Sequence, residues 1–414
     1  MTDSGNSKIN RLQEKLSMKD FKLNQLLEIT EAINSNSSVE KLLDIYKYVL
    51  REQLGIQKAM LFNLDTDWKL LMKYGVKGSV KDIDVAKDLM KIKDITVIES
   101  SSKKSLNTFD VVIPVFHKQS PLAYLLIGDL NENELKISPT IKHMPFVQTL
   151  TNIIVVAIEN KRLAKEAIQQ ARIKKELELA SQMQSMLLPD DLPHNNFIDV
   201  SAKYFAHQAV GGDYYDFIPL NEDEFVFCMA DVSGKGVGAA LLMSNFQANL
   251  RAILKYTDFP LTRLIDELNT SVSKSAKGEK FITFFIGRYN KISRKLRYIN
   301  AGHNPPILTN GKEVRYLAAG TVGLGMVDDL PSTEELEIFV SPKSLIVCYT
   351  DGLVEIENDQ EEAYSMERLS STIQRFHHLN KVSFINEEIY KDVDIYRGKS
   401  DFMDDTALLS IRFN

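Results

Sequence analysis

The period of the hydrophobic positions changes along the chain. From Phe21, Leu23, Leu26, Leu27, Ile29 and Ile33 recur at helical spacing until the polar run 34–38 interrupts them. Leu42, Leu43, Ile45, Tyr46, Val49 and Leu50 then form the apolar side of a second predicted helix. The residues before about Lys19 are polar and are expected to form a frayed or helical lead-in. Strand-like runs follow at Ala59–Leu64, Val111–Phe116 and Ala123–Gly128, and an apolar helix is predicted over Phe146–Ile158. Helix, helix, strands, helix is an α+β module of roughly 140 residues.

Glu159–Leu188 is charge-rich and contains neither glycine nor proline. Ile173, Leu177, Ala180, Gln184 and Leu187 keep a 4-3-4-3 spacing there, which suits the seam of a coiled coil. Pro189 and Pro193 end it. A single solvated helix packed on its own domain would have similar composition; the spacing favours a dimerising signalling helix. From Phe197 strand-like runs dominate: Glu224–Ala230, Phe281–Tyr289, Lys295–Asn300, Glu313–Leu317, Leu336–Val340, Leu345–Tyr349 and Thr406–Phe413. Two helices are predicted early, Gly238–Lys255 and Leu261–Lys274, and two late, Met366–His378 and Ser383–Tyr390. Antiparallel strands with helices in two blocks predict a β-sandwich flanked by helices.

Composition narrows the reading. At 414 residues the chain should hold two or three domains, because single cores stop growing at roughly 250 residues. A formal charge of −6 argues against a general nucleic-acid binder. No apolar run approaches the roughly 20 residues that span a bilayer, and MTDSGNSKIN does not read as a signal peptide. Cys228 and Cys348 lie in apolar runs and are read as buried free thiols, with the cytoplasm as the expected compartment. No cysteine lies in the front module, which excludes a thiol-linked chromophore or iron–sulfur cluster there. His117 and His143 lack ligand spacing and are read as ordinary residues.

The candidate chemistry lies in aspartates at strand ends. Asp213 follows two glycines in VGGDYYDF. Asp231 ends FVFCMA and precedes the turn VSGKG; Asp351 ends LIVCYT; Asp404 and Asp405 precede TALLSIRF. A carboxylate where a buried strand emerges is costly unless something binds it, and converging carboxylates repel unless cations neutralise them. Oxygen donors without cysteine or clustered histidine favour Mg²⁺ or Mn²⁺ over Zn²⁺.

VGGDYYDF, FCMADVSGKGVGAALLMS, YINAGHNPPIL, LIVCYTDGLVE and DDTALLS follow the order of the SpoIIE/RsbU-type phosphatases, a branch of the metal-dependent (2C-like, PPM) superfamily, and the resemblance covers Phe197–Asn414. QMQSMLLPDDLP is similar to the segment that leads into such domains. The resemblance implies two Mn²⁺ or Mg²⁺ ions bridged by Asp231, with the carbonyl of Val232 as a backbone ligand. Asp213 would serve one metal, and Asp351 and Asp404 the other. Asp213 and Asp231 are thus the candidate catalytic residues. Asp404 is preferred to Asp405 because the family's DDxTLLV-like phrase places its ligand first; here Thr406 comes one position early and Ala407 fills the usual hydroxyl position. Asp216 matches a recurrent acid of the glycine-rich phrase. Ser233 stands where many eukaryotic relatives have a histidine. His303 could be an acid, but the turn chemistry of Gly302-His303-Asn304-Pro305 explains it without catalysis; Lys235 could attract phosphate or be a solvated lysine.

The front module resembles a GAF domain through LLEITEAINSNSSVEKLLDIYKYVL, GIQKAMLFNLD, VVIPVFHKQSPLAYLLIGDL and VVAIENKRL. The expected organisation is α+β: a lead-in (1–20), a GAF-like sensory domain (21–160), a coiled-coil linker helix (161–193) and a PPM-type β-sandwich flanked by helices (194–414). The resemblances imply a serine/threonine protein phosphatase acting on a phosphoprotein, typically an anti-sigma-factor antagonist of STAS type. A small-molecule or protein signal would act at the front domain, and the linker would form a homodimer. A silent phosphatase-like scaffold is the alternative. A nucleotide cyclase is disfavoured because Tyr214 and Tyr215 follow Gly-Gly-Asp in place of the Glu-Phe of the GGDEF signature.

Overall fold

A computed structural model of the chain describes residues 3–76, 83–98, 106–128 and 144–414. The contacts divide them into two units, Met1–Gln170 and Ala171–Asn414.

The first unit opens with α1 (Asp3–Asn34) and α2 (Val39–Tyr48), which runs into a π-helical turn, Val49–Gln53. Ser38 starts α2 by accepting the Lys41 N–H, one of the donors a helix start leaves unpaired. Then come β1 (Lys58–Leu64), β2 (Trp68–Tyr74), α3 (Val85–Asp88), β3 (Thr96–Val97), β4 (Val111–His117), β5 (Ser120–Gly128) and α4 (Met144–Ser185). The five strands form an antiparallel sheet in the order β2-β1-β5-β4-β3. Leu61, Ile113, Leu125 and Ile127 pack with Ile29, Leu42, Leu50 and Ile154 in one core, and the Tyr46 hydroxyl meets Thr151 Oγ1 at 2.7 Å. The alternate residues Met60, Val112, Tyr124 and Leu126 build a second core with Leu89 and Phe109. With both faces covered, the strands read as continuous apolar runs.

Strand β2 escapes the sequence reading because Lys69 and Lys73 interrupt its apolar residues. The helices expected over Phe146–Ile158 and Glu159–Leu188 are one uninterrupted helix, α4, ending at Ser185. His117 is exposed at the end of β4; His143 lies outside the described residues. No helix among the described residues is long and apolar enough to cross a membrane.

The second unit contains β6 (Ile198–Phe205), β7 (Tyr214–Pro219), β8 (Glu224–Val232), α5 (Val237–Tyr256), α6 (Leu261–Ala276), β9 (Ile282–Asn290), β10 (Lys295–Ala301), β11 (Ile307–Thr309), β12 (Val314–Tyr316), β13 (Gly320–Thr321), β14 (Leu336–Phe339), β15 (Ser344–Tyr349), α7 (Asp351–Val354), α8 (Met366–Phe376), α9 (Val382–Arg397) and β16 (Thr406–Phe413). One sheet runs β13-β10-β9-β8-β7, with β14 also on β10; the other runs β12-β11-β15-β16-β6. Phe227, Met229 and Phe285 of the first meet Cys348, Leu409, Ile411 and Phe413 of the second in a shared core. The outer face of the first sheet packs on α5 and α6 through Met243, Phe246, Leu264 and Leu268. That of the second packs on α8 and α9 through Leu369, Ile373, Ile385 and Ile389. The result is a four-layer α-β-β-α sandwich, with both cysteines buried and free.

One buried charge braces the first sheet. Asp216, in β7, is fully buried, while its partner Arg251 on α5 keeps 45% of its side chain exposed. Arg251 donates through Nε (2.7 Å) and Nη2 (2.9 Å), Phe217 N–H donates at 2.8 Å, and the Tyr214 hydroxyl also donates. The acid that the sequence reading left without a role therefore braces the sheet. Arg251→Ala would strand a buried carboxylate and should cost about 3–5 kcal/mol. Asp216→Asn lets the half-exposed guanidinium return to water and should cost only about 1–3 kcal/mol. Urea unfolding of the two variants measures the difference; equal losses would contradict the asymmetry.

Candidate metal centre

The two sheets bring the aspartates together at one end of the sandwich. Strands β7 and β8 pair Tyr214 with Ala230, so Asp213, just before β7, falls opposite Asp231, the penultimate residue of β8. In the other sheet β15 runs beside β16. Beyond the last pair, Thr350 N–H donates to the Ala407 carbonyl and Thr350 Oγ1 accepts from Ala407 N–H at 2.8 Å. This lock sets Asp351, the first residue of α7, beside Asp404 and Asp405. The turn after Asp231 is held by backbone contacts: Ser233 N–H donates to Phe281 O, and Phe281 N–H donates to Ser233 Oγ at 2.9 Å. Gly234 and Gly236 adopt φ of +78° and +76°, which a side chain would resist.

Asp404 and Asp405 have different neighbours. Both carboxylate oxygens of Asp405 are occupied, Oδ1 by His207 N–H (2.8 Å) and Oδ2 by Gly212 N–H (2.6 Å). Asp404, with 42% of its side chain exposed, meets the Lys235 ammonium at 2.9 Å. Lys235 also donates to the Met403 carbonyl.

Electrostatics follows from this crowding. Asp213 is 2% exposed, and burial, followed by the nearby Asp231, holds its carboxyl well above the usual range, with the Thr350 hydroxyl pulling the other way. Burial and then Asp351 push Asp231 up to about 7. Asp351 is raised by burial, then by Glu355 and Asp404. Asp405 is raised by burial, despite its two backbone donors. Asp213 Oδ2 is buried without a hydrogen-bond partner. Orphaned oxygen, mutual repulsion and an all-oxygen donor set fit hard divalent cations. Among the described residues no three acidic, histidine or cysteine side chains yet surround one point at ligand distance.

His303 is 5% exposed, with Nδ1 2.9 Å from Thr283 Oγ1. Thr283 lies across the ladder from Asp231. Burial lowers the imidazole to about 4, a contact to the Tyr349 backbone opposing. The ring is therefore neutral near pH 7 and poorly suited to donate a proton.

Three contributors escaped the sequence reading. Thr350 ties the two acid-bearing segments of the second sheet. Tyr204, whose buried hydroxyl has no partner, stands among the acids; burial and then Asp405 raise it. Gln184, assigned to a coiled-coil seam, is buried against Gly211 within its own chain. A polar residue in an apolar seam was the available signal for the last.

A sandwich of this layering is the fold of 2C-like phosphatase domains. Residues 221–414 match the family profile of stage II sporulation protein E (SpoIIE). The chain is 29% identical over 192 residues to phosphoserine phosphatase RsbU of Bacillus subtilis, covering 46% of this chain and 56% of that protein. It is 27% identical over 241 residues to protein IcfG of Synechocystis, covering 51% and 38%. The chain thus spans about half the length, or less, of these relatives. Its fold matches the SiaA-PP2C domain of Pseudomonas aeruginosa with a TM-score of 0.53 at 20% identity, over 60% of this chain and all of that one.

The raised carboxyls predict a pH-dependent response to metal. Without metal the folded state holds more protons than the unfolded state from about pH 4 to 7, so the acid cluster lowers stability as pH rises through that window. His303 acts oppositely, lowering stability as pH falls from 6.5 towards 4. Cations relieve only the first effect. Mn²⁺ should therefore raise the melting temperature more at pH 8 than at pH 5, and a thermal-melt series that showed equal gains would refute this origin.

Proposed function

We propose that the chain is a metal-dependent protein-serine/threonine phosphatase acting on a phosphoserine or phosphothreonine protein. The observation that carries the reading is that Asp213, Asp231, Asp351 and Asp404 are brought from two sheets to one end of the sandwich, where Asp213 keeps a buried carboxylate oxygen with no partner. Asp231 would bridge two Mn²⁺ or Mg²⁺ ions. Asp213 and the Val232 carbonyl would complete one site, and Asp351 and Asp404 the other. Once bound, the ions would activate water for in-line attack on phosphorus and neutralise charge on the phosphoryl oxygens.

The chain's own groups prepare that site. Asp405 is committed to two backbone amides and holds the loop ahead of Asp213. Thr350 bonds the segments carrying Asp351 and Asp404. Lys235, paired with Asp404 at the solvent rim, would be the cation nearest an incoming phosphate. Ser233 Oγ accepts a backbone hydrogen bond and serves the turn.

The similarity to phosphoserine phosphatase RsbU supports a phosphoprotein substrate, and we extend it to an anti-sigma-factor antagonist of STAS type in the cytoplasm. We read the first unit as a GAF-like sensor of a small molecule or protein. Ile173, half-exposed at 49%, and the exposed Ala180 leave part of the predicted seam open for a homodimer. A signal at the sensor would shift the population of the metal-competent state.

Purified full-length chain should release phosphate from a phosphoserine protein only with Mn²⁺ or Mg²⁺. Asp231→Asn should lower the rate by on the order of 10³-fold or more, since the ions supply both nucleophile and charge neutralisation. Release without metal, or unchanged in Asp231→Asn, would remove the two-metal reading. No release from the full chain or from a chain starting near Phe197 would favour the silent scaffold.

A further inference from the structure

Hydrolysis of a phosphoserine by activated water needs a proton for the oxygen that leaves, which is otherwise expelled as a strongly basic alkoxide. Imidazole is the side chain best suited to deliver one near neutral pH. Topology sorts the histidines of the second unit. His194 bonds Asp199 at the start of β6, and His377 bonds the Lys343 carbonyl just before β15, with His378 beside it. Both strands run from there towards the acids, so these three histidines lie at the opposite end of the sandwich. His303 stands near the acids but is buried, and burial lowers it to about 4.

His207 differs in both respects. Strand β6 ends at Phe205, which pairs with Thr406, the neighbour of Asp405; His207 follows two residues on. Its backbone N–H and that of Gly212 each hold one oxygen of Asp405, so the loop between them is pinned to a single carboxylate. Within that loop Gln208 Oε1 comes to 3.2 Å from where a Cβ of Gly236 would stand, in the turn after Asp231. The loop therefore crosses from the acids of one sheet to the turn that follows the acid of the other. Residues 205–209 are exposed, which leaves the His207 imidazole in solvent at the rim while its backbone is fixed. Burial raises the Asp405 carboxyl, and His207 is among the groups that lower it. The other proton carriers nearby are engaged or shut away: the Lys235 ammonium is paired with Asp404, and burial holds the Tyr204 hydroxyl far above its usual range.

We propose that His207 is the general acid of the reaction, its imidazolium donating a proton to the serine or threonine oxygen as that oxygen leaves phosphorus. The role rests on the two-metal reading above. The water oxygen bonds to phosphorus, the bond from phosphorus to the side-chain oxygen breaks, and its electron pair stays on that oxygen, which takes the proton of the imidazolium. The surplus proton of the water passes to solvent, and the imidazole regains one from solvent, so ester and water become hydroxyl and phosphate. Ser233 is left to hold the turn.

The test uses full-length chain with Mn²⁺, as wild type, His207→Ala and His207→Gln. Both substitutions keep the bond to Asp405, which the backbone makes, and a circular-dichroism melt checks the fold. Turnover is measured on a phosphoserine peptide, on phenyl phosphate and on p-nitrophenyl phosphate, whose leaving groups need progressively less help from a proton. On the peptide, kcat should fall by on the order of 100-fold or more in both variants, the scale of general acid catalysis. The loss should shrink on phenyl phosphate and stay below about tenfold on p-nitrophenyl phosphate. Glutamine keeps hydrogen-bonding capacity but carries no transferable proton, so it should do no better than alanine.

An undiminished rate on the peptide overturns the proposal. Equal losses on all three substrates also overturn it, since they would make His207 a phosphate contact or a prop for the loop, and so does recovery of the peptide rate by glutamine. Wild-type chain that releases no phosphate with Mn²⁺ from any of the three would take down the two-metal reading itself, and the proton donor with it.

Discussion

Repulsion among carboxylates is the constraint around which the second unit is arranged. Two like charges 4 Å apart at an effective dielectric near 20 repel by about 4 kcal/mol, more than a typical hydrogen bond contributes. Bringing aspartates from two sheets to one end therefore requires many fixed bonds around them. The β7–β8 and β15–β16 ladders, the Thr350 lock and the turn at Ser233 supply those bonds. What they cannot supply is compensating positive charge inside the cluster: Lys235 meets Asp404 at the rim, while Asp213 remains buried with an unpartnered oxygen. The raised carboxyls of Asp213 and Asp231 express the same imbalance.

The adjacent aspartates show how the fold divides labour at such a site. Asp405 spends both oxygens on backbone amides of the loop leading to Asp213, whereas the half-exposed Asp404 accepts the Asp405 N–H on one oxygen and meets the Lys235 ammonium with the other. Two chemically equal residues thus become a strut for the loop and an acid at the solvent rim through their backbone setting. Gly211 makes this possible, since a Cβ there would strike the Asp405 carboxylate and the Tyr204 hydroxyl.

Much of this was legible in the chain. Apolar runs ending in aspartate, such as FVFCMA before Asp231 and LIVCYT before Asp351, marked both strands and acids, because a buried strand must be apolar and its emerging acid needs a partner. The sandwich flanked by helices followed from the same runs. Strands β6 and β7 were less visible: Asp199 and Lys203 break the first, and Asp216 interrupts the second, its charge answered by an arginine 35 residues away. Gln184 was misassigned because helical spacing records which residues share a face, not whether that face meets a second chain or a glycine backbone 27 residues on. The unpartnered Tyr204 hydroxyl and the burial of His303 left no local pattern, since both depend on contacts distant in sequence.

The continuity of α4 adds a restriction on how its length can drift. With no glycine or proline from Phe146 to Ser185, the helix carries angular phase along its axis, and each inserted residue rotates one side by about 100° relative to the other. One extra residue between Ile173 and Gln184 would swing the apolar stripe of Ile173 and Leu177 away from its present bearing on the Gly211 backbone. Seven would nearly restore it. Length changes in this stretch should therefore be tolerated in near-whole turns, as teeth on a gear are, with intermediate lengths surviving only where the stripe or the glutamine has lost its purpose.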